Sequence, residues 1–377
     1  MQILIEFEKN PLLFSDPVEI ICCDRLDEIK NCFEKMEDAI SNGFYLAGFL
    51  SYEAGYAFEE SLWENKSYDF PVLQFGVYTS PLSPPKADSF PSPSSMERGA
   101  ESRFRSGRGG VRSNTSYDAY SQNINAIKSY IEAGDTYQIT YCLKYKFDYD
   151  GDPYSLYCKL KKEQPIPYPA FIKTKDFSIL SLSPEMFIKK KKEKIITKPM
   201  KGTWMRGKTL WDDIWAKRRL CLDPKNRAEN VMIADLLRND LSKISEPGTV
   251  LTPKLFEVAR YKTLCQMTST VCGKIDPNTR LYDIFKALHP SGSVTGAPKI
   301  ISMKIIKELE KEERKIYTGA IGYITPQRDL FFNIPIRTIL LKDNNGEMGV
   351  GGGVVWDSTP EGEWEECHIK AGFLVSR

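Results

Sequence analysis

The chain opens with apolar and polar positions alternating over Met1–Phe7, the period of a strand, then moves to helical spacing over Leu26–Ile40. Phe44–Tyr56 (FYLAGFLSYEAGY) reads as a buried apolar strand broken by glycines. From Pro81 to Ser113 the pattern gives way to Pro, Ser, Gly and Arg, which predicts a flexible linker or long surface loop. Beyond it Tyr120, Ile124, Ile127 and Ile131 form one helical stripe, with Ser116 placed to cap its start and Gly134 to end it. Tyr137, Ile139, Tyr141, Leu143, Tyr145 and Phe147 then alternate strictly and predict a strand with one buried face. Further strands are expected at Ala170–Ile172, Ile179–Leu182, Ile195–Thr197, Ile321–Thr325 and Ile334–Leu341. Helices are expected at Asn226–Leu241, Pro298–Glu312 and from Pro360 to the C-terminus.

These elements divide the chain into an N-terminal region, 1–80, the 81–113 segment, and a C-terminal region, 114–377. Strands and helices intermingle without the roughly 30-residue rhythm of βαβ units, so the pattern predicts an α+β fold with large antiparallel sheets.

Composition narrows the function more by exclusion than by indication. Lys and Arg number 52 against 50 Asp and Glu, a net charge of +2, which argues against a nucleic-acid binder. No apolar run approaches the roughly 18 residues that cross a bilayer, and MQILIEFEKN lacks the features of a signal peptide. Nine cysteines without a CxxC pair suggest reduced thiols in a cytoplasmic protein. With only His289 and His368, acid–base work falls mainly to carboxylates and lysines.

Several polar residues stand where a core is expected. Glu229 precedes Met232, Ile233 and Leu236 at helical spacing, so its carboxylate lies on an apolar face and needs a cationic or metal partner. A buried salt bridge and a metal site explain it about equally well. Glu363, Glu366 and Lys370 share one face of the last helix; a solvated Glu–Lys pair is the simpler reading. Carboxylates from two helices would also suit Mg2+. HPSGSVTGAPK (His289–Lys299), GVGGGVV (Gly349–Val355) and PMKGT (Pro199–Thr203) are glycine-rich turns able to take an anion, although a bulge would equally explain the second. Lys201 is a surface charge or, if desolvated, a nucleophile. Arg337, inside an apolar run, suits a carboxylate ligand. Physical reading thus reaches a pocket for a small polyanion and a divalent cation.

The segments GDTYQIT, SLSPEMF, TKPMKGT, RAENVMIADLLRNDL, HPSGSVTGAPK, YTGAIGY, IRT, GVGGGVVWDS and EWEECHIKA resemble, in this order, the chorismate-utilising enzymes. GFYLAGFLSYEAG is similar to the family's glycine-rich N-terminal strand. The resemblance implies antiparallel sheets packed as a sandwich with flanking helices. Lys201 and Gln138 make the chain most similar to the aminodeoxychorismate synthase component I branch, with Met200 standing for a commoner isoleucine. Anthranilate synthases carry alanine at the lysine position, and isochorismate and salicylate synthases a lysine at the glutamine position. The tryptophan-binding LLES-type segment of many relatives is not found, so tryptophan regulation is not expected.

For the site, the resemblance implies Mg2+ held by Glu229 and Glu366. It gives chorismate carboxylate contacts to Arg337, Tyr317, Lys370 and backbone around Gly202, Thr203, Gly351, Gly352 and Gly353. Lys201 would be the nucleophile and Glu185 the acid, with His289 touching the ring or leaving hydroxyl or else serving the core. Ammonia would come from a glutamine amidotransferase subunit, and a separate aminodeoxychorismate lyase would convert the product to para-aminobenzoate for folate synthesis. The alternatives are an anthranilate synthase component I and a non-catalytic relative.

Overall fold

A computed structural model describes residues 1–82, 110–164, 166–205, 210–260 and 264–375. The N-terminal part runs β1 (Gln2–Phe7), β2 (Asn10–Phe14), β3 (Glu19–Cys23), α1 (Ile29–Ser41), β4 (Tyr45–Leu50) and β5 (Leu73–Tyr78). After residue 110 come β6 (Arg112–Ser113), α2 (Tyr117–Glu132), β7 (Gln138–Asp148), α3 (Pro153–Glu163), β8 (Tyr168–Lys173) and β9 (Ser178–Ser183). The central part holds β10 (Met186–Lys191), β11 (Lys194–Lys198), β12 (Met200–Met205), α4 (Leu210–Leu222), α5 (Pro224–Ser242), β13 (Leu251–Arg260) and β14 (Leu264–Lys274). The chain finishes with α6 (Leu281–Leu288), β15 (Gly296–Ala297), α7 (Lys299–Leu309), β16 (Ala320–Ile324), β17 (Leu330–Asn333), β18 (Thr338–Lys342), β19 (Asn345–Val354) and α8 (Pro360–Val375).

The strands form two antiparallel sheets. One runs β15-β7-β19-β18-β9-β8-β1-β2, with β6 also on β7; the other runs β12-β14-β11-β10-β17-β16-β4-β5-β3, with β13 also on β14. Apolar side chains of β1 and β8 (Ile3, Ile5, Ala170, Ile172) share one buried cluster with Phe49 of β4 and Ile321 of β16, so the sheets pack face to face. This is the expected α+β sandwich. The N-terminal region belongs to both layers, since β1 pairs with β8 and β4 with β16. Of the 81–113 segment, Leu82 bridges to Leu13 and β6 pairs with β7. Residues 83–109, and the linker expectation with them, lie outside the described residues.

Local capping follows the sequence. Ser116 accepts the Ala119 N–H at 3.3 Å, and Gly134, at φ +82°, closes α2 beyond its last turn. Three expectations are corrected. The apolar run Phe44–Tyr56 is strand only to Leu50, and Tyr52–Phe58 turns into 3-10 helix. The Glu53 carboxylate accepts the backbone N–H groups of Arg314 and Lys315 at 2.7 and 3.0 Å, which ties this turn to the following layer. β7 is buried on both faces from Gln138 to Tyr145, because α2 and α7 pack against a strand already inside the sandwich. The run Ile334–Leu341 is strand only from Thr338, because Arg337 adopts φ +50°.

Candidate active site

Lys201 enters β12 next to a bulge. It pairs with Met267 while Thr203 pairs with Gln266, leaving Gly202 as the extra residue, at φ +76°. A Cβ on Gly202 would lie 2.6 Å from Asn226 Oδ1, so both conformation and space call for glycine. The bulge breaks the regular alternation of the strand and sets the direction of Lys201. Lys201 keeps some surface open, yet its amine is packed around by protein, and this burial holds its pKa below the usual lysine range. Lys370 pushes in the same direction, while Glu229, Glu185 and Glu366 oppose it.

Glu185 sits at the start of β10, 4% exposed. Burial pushes its carboxyl up to about 7, against the bond from Ser293 and the charge of Lys201. Ser293 Oγ donates to Glu185 Oε1 at 2.7 Å. Ser293 lies in HPSGSVTGAPK, where sequence reasoning saw only a backbone anion site.

Gln138 at the start of β7 completes the group. Its side chain is fully buried and neither amide atom has a hydrogen-bond partner. A Cβ on Gly353 would lie 2.5 Å from Gln138 Nε2 and 2.9 Å from Lys201 Nζ, so the glycine makes room for both. A Cβ on Gly352 would meet the Glu363 carboxylate and come within 3.8 Å of Glu366 Oε1. Lys370 Nζ donates to Gly351 O at 2.7 Å and pairs with Glu366 at 2.6 Å. The glycine run on β19 therefore forms a wall lined by α8 carboxylates on one side and by Lys201 and Gln138 on the other.

Lys201 thus feels the charges of Glu185, Glu229, Glu366 and Lys370, the last two of which lie on the α8 side of the glycine run. The other expected residues are placed around these. Tyr317 is buried against Gly349, two residues before Gly351, and bonds to the Cys142 thiol. Arg337 is half-buried; its Nη1 donates to Gln164 Oε1 at 3.4 Å and its carbonyl accepts the Leu182 N–H. Thr203 follows the bulge on β12. His289 faces Phe58, Phe187 and Phe285, with Nε2 on the Ser51 carbonyl at 2.8 Å. Burial pushes its pKa down to about 3, so the ring is neutral and donates from Nε2. Its Nδ1 is buried without a hydrogen-bond partner, so both roles stay open for it.

The donors facing Lys201 from α5 and α8 are carboxylates, the hard oxygen ligands that magnesium takes. Among the described residues no three acidic, His or Cys side chains converge as a preformed metal cage. Glu229 and Glu366 are the two oxygen donors that could share an ion with ligand oxygens and water; Glu366 is paired with Lys370 at 2.6 Å.

Residues 14–376 match the family described as chorismate binding enzyme. Over 260 residues the chain is 39% identical to aminodeoxychorismate synthase component 1 of Bacillus subtilis, covering 69% of this chain and 55% of that protein. Over 264 residues it is 34% identical to anthranilate synthase component 1 of Aquifex aeolicus, covering 70% and 53%. The chain thus spans about half the length of these curated relatives. Anthranilate synthase component I from Streptococcus pneumoniae shares the fold with a TM-score of 0.80 at 24% identity, over 98% of this chain and 91% of that one. The menaquinone-specific isochorismate synthase of Escherichia coli does so at 0.75 and 15%, over 99% and 88%. With a family match running through both sheets, the glycine wall and the Glu185–Lys201 pair, the chain belongs to the chorismate binding enzymes.

Proposed function

We propose that the chain aminates chorismate at C4 with ammonia from a glutamine amidotransferase subunit, giving 4-amino-4-deoxychorismate. The observation that carries this reading is the Glu185–Lys201 couple: a carboxyl pushed toward its neutral acid and an amine pushed toward its neutral base, beside the unpartnered Gln138 amide. In the first half-reaction Lys201 Nζ bonds to C2, the ring double bonds shift, and the C4–O bond breaks. Glu185 gives its proton to the departing hydroxyl, which leaves as water. In the second, ammonia bonds to C4, the double bonds shift back and Lys201 leaves C2. The new C4 ammonium returns one proton to Glu185 and becomes the product amine. Gln138, whose amide lies beside Lys201 across Gly353, would hold the incoming ammonia or the C4 oxygen.

Lys370 and the β19 glycines serve the substrate carboxylates, with Arg337 and Tyr317 at the border of the site. Magnesium, when bound by Glu229 and Glu366, would offset the dianion's charge and fix the ring. The product would pass to a lyase that releases pyruvate and forms para-aminobenzoate. Nine free thiols suit a reducing cytoplasm.

The test is mass spectrometry of the products from chorismate, Mg2+ and concentrated ammonium, with and without added lyase. Aminodeoxychorismate, converted to para-aminobenzoate by the lyase, is the expected result. Anthranilate would transfer the chain to the other activity named among its relatives. Lys201→Ala should abolish or redirect amination while retaining chorismate; wild-type turnover would remove Lys201 as nucleophile.

A further inference from the structure

β7 brings a second polar side chain to the Lys201 side of the glycine wall. Thr140 pairs with Gly353 across β7 and β19, and residues directly opposite in an antiparallel ladder project from the same face. That is the face on which a Gly353 Cβ would lie 2.5 Å from Gln138 Nε2 and 2.9 Å from Lys201 Nζ. Gln138, two residues before Thr140, shares the face by alternation, whereas Tyr141 projects from the other and packs on Tyr120 of α2. The Thr140 N–H donates to Thr295 O at 2.7 Å, and Arg314 Nη2 donates to Thr140 O at 2.6 Å. Thr295 immediately precedes β15, on the side of β7 away from β19. Thr140 and Gly353 therefore form the closer, non-hydrogen-bonded type of pair, with Cα atoms about 4.5 Å apart.

The Thr140 backbone is thus fixed and fully used, but its hydroxyl is not. Thr140 is 7% exposed, and its Oγ1 has no hydrogen-bond partner, like both amide atoms of Gln138. Burying a hydroxyl unpaired costs free energy, and valine would fill the same space without that cost. A ligand that satisfies both side chains bridges neighbouring positions of one strand face, about 7 Å apart along the strand. With Lys201 Nζ beside the same glycine, the bridging molecule must be small. Ammonia has three N–H donors and one lone pair. Two donors placed on Gln138 Oε1 and Thr140 Oγ1, both acceptors, leave the lone pair free to meet carbon.

We propose that the Thr140 hydroxyl is a further substrate-binding group of the site: with the Gln138 amide oxygen it holds ammonia with its lone pair toward C4. This rests on the amination reading above and specifies which side chains orient its nucleophile.

The experiment compares wild type with Thr140→Val and Thr140→Ser. Initial rates are measured with ammonium varied at saturating chorismate, then with chorismate varied at saturating ammonium, and each thermal midpoint is recorded. Thr140→Val should lose about tenfold in kcat/KM for ammonium, the loss of one hydrogen bond, while its chorismate KM stays within about twofold. Its midpoint should equal or exceed that of wild type, because an unpaired buried hydroxyl has been removed. Thr140→Ser, which keeps the hydroxyl, should restore kcat/KM for ammonium to within about threefold of wild type. An unchanged kcat/KM for ammonium in Thr140→Val overturns the proposal. So does a chorismate KM that rises in step, since the hydroxyl would then bind the ring substrate. A lower midpoint with equal losses for both substrates overturns it as well, by showing a structural role. No aminated product from wild type with ammonium would instead overturn the amination reading, and the assignment of Thr140 with it.

Discussion

Glu185 and Lys201 illustrate how little separates a structural charge from a reactive one. Both are ordinary residues whose burial disfavours the ionised form, and each partly offsets that effect in the other. Glu185 acts as an acid only while protonated, so turnover should decline as pH rises through about 7. Ser293 stabilises the carboxylate, and removing its bond raises the Glu185 pKa further. Ser293→Ala should therefore move the descending limb of kcat to higher pH by about one unit; an unmoved limb would assign that limb to another group. His289 has the opposite sign. Its folded pKa of about 3 lies below the ordinary 6.5, so the folded state binds fewer protons in that window. Stability from this group is complete above 6.5 and is lost as pH falls, at up to roughly 1.4 kcal/mol per pH unit. Glu185 and Glu53, both pushed up to about 7, contribute a rise in stability as pH falls from there. The difference between His289→Leu and wild type isolates the histidine: on lowering the pH from 6.5 to 4, denaturant unfolding should show the variant losing less stability, or gaining more, than wild type.

At the scale of elements, two glycines do different things on two strands. Gly202 supplies a left-handed residue at a bulge, and Gly353 supplies empty space beside Lys201 and Gln138. A methyl at 353 meets the far ends of two flexible side chains, which can shift at small cost to the fold. Gly353→Ala should accordingly lower kcat about a hundredfold, as displacement of reacting groups by about 1 Å does. Its thermal midpoint should stay within a few degrees of wild type; a large drop would show that the glycine serves packing instead. Arg314 has a comparable influence on the site from outside it. Fully surrounded by protein, it donates to Val294 O at 2.9 Å and Thr140 O at 2.6 Å and pairs with Glu310, thereby binding the Ser293 loop to β7. Arg314→Met would leave Glu310 without its cation, and a loss of about 3–5 kcal/mol is expected from denaturant titration.

For the molecule as a whole, the site depends on both layers at once. Lys201 and Glu185 stand on strands of one sheet, while Gln138 and the glycine wall stand on the other. The N-terminal strands close both sheets, with Phe7 and Phe14 buried among residues of the two layers. Removing residues 1–16 would strip β1 and β2 from the edge beyond β8 and expose that cluster. The truncated chain should lose its cooperative thermal transition, followed by near-UV circular dichroism; a wild-type transition would make these strands accessory. Among the described residues no helix is long and apolar enough to cross a membrane.

The sequence by itself determined about half of the elements and the fold class. Local periodicity set α1, α2 and the strands β8, β9 and β11, because side chains at period 2 or 3.6 must face a core wherever that core lies. The resemblance in motif order nominated Lys201, Glu185, Glu229 and Glu366 for the site. Tertiary structure decided what depends on contacts between distant residues. Ser293 meets Glu185 across 108 positions, a pairing no local pattern encodes. His289 is enclosed by Ser51 and three phenylalanines, with its Nδ1 left without a partner. β7 lost its solvent face to helices, and the run before Thr338 bent at Arg337. The direction in which Glu185 and Lys201 shift was likewise set by burial, since desolvation belongs to the assembled interior and not to either residue alone.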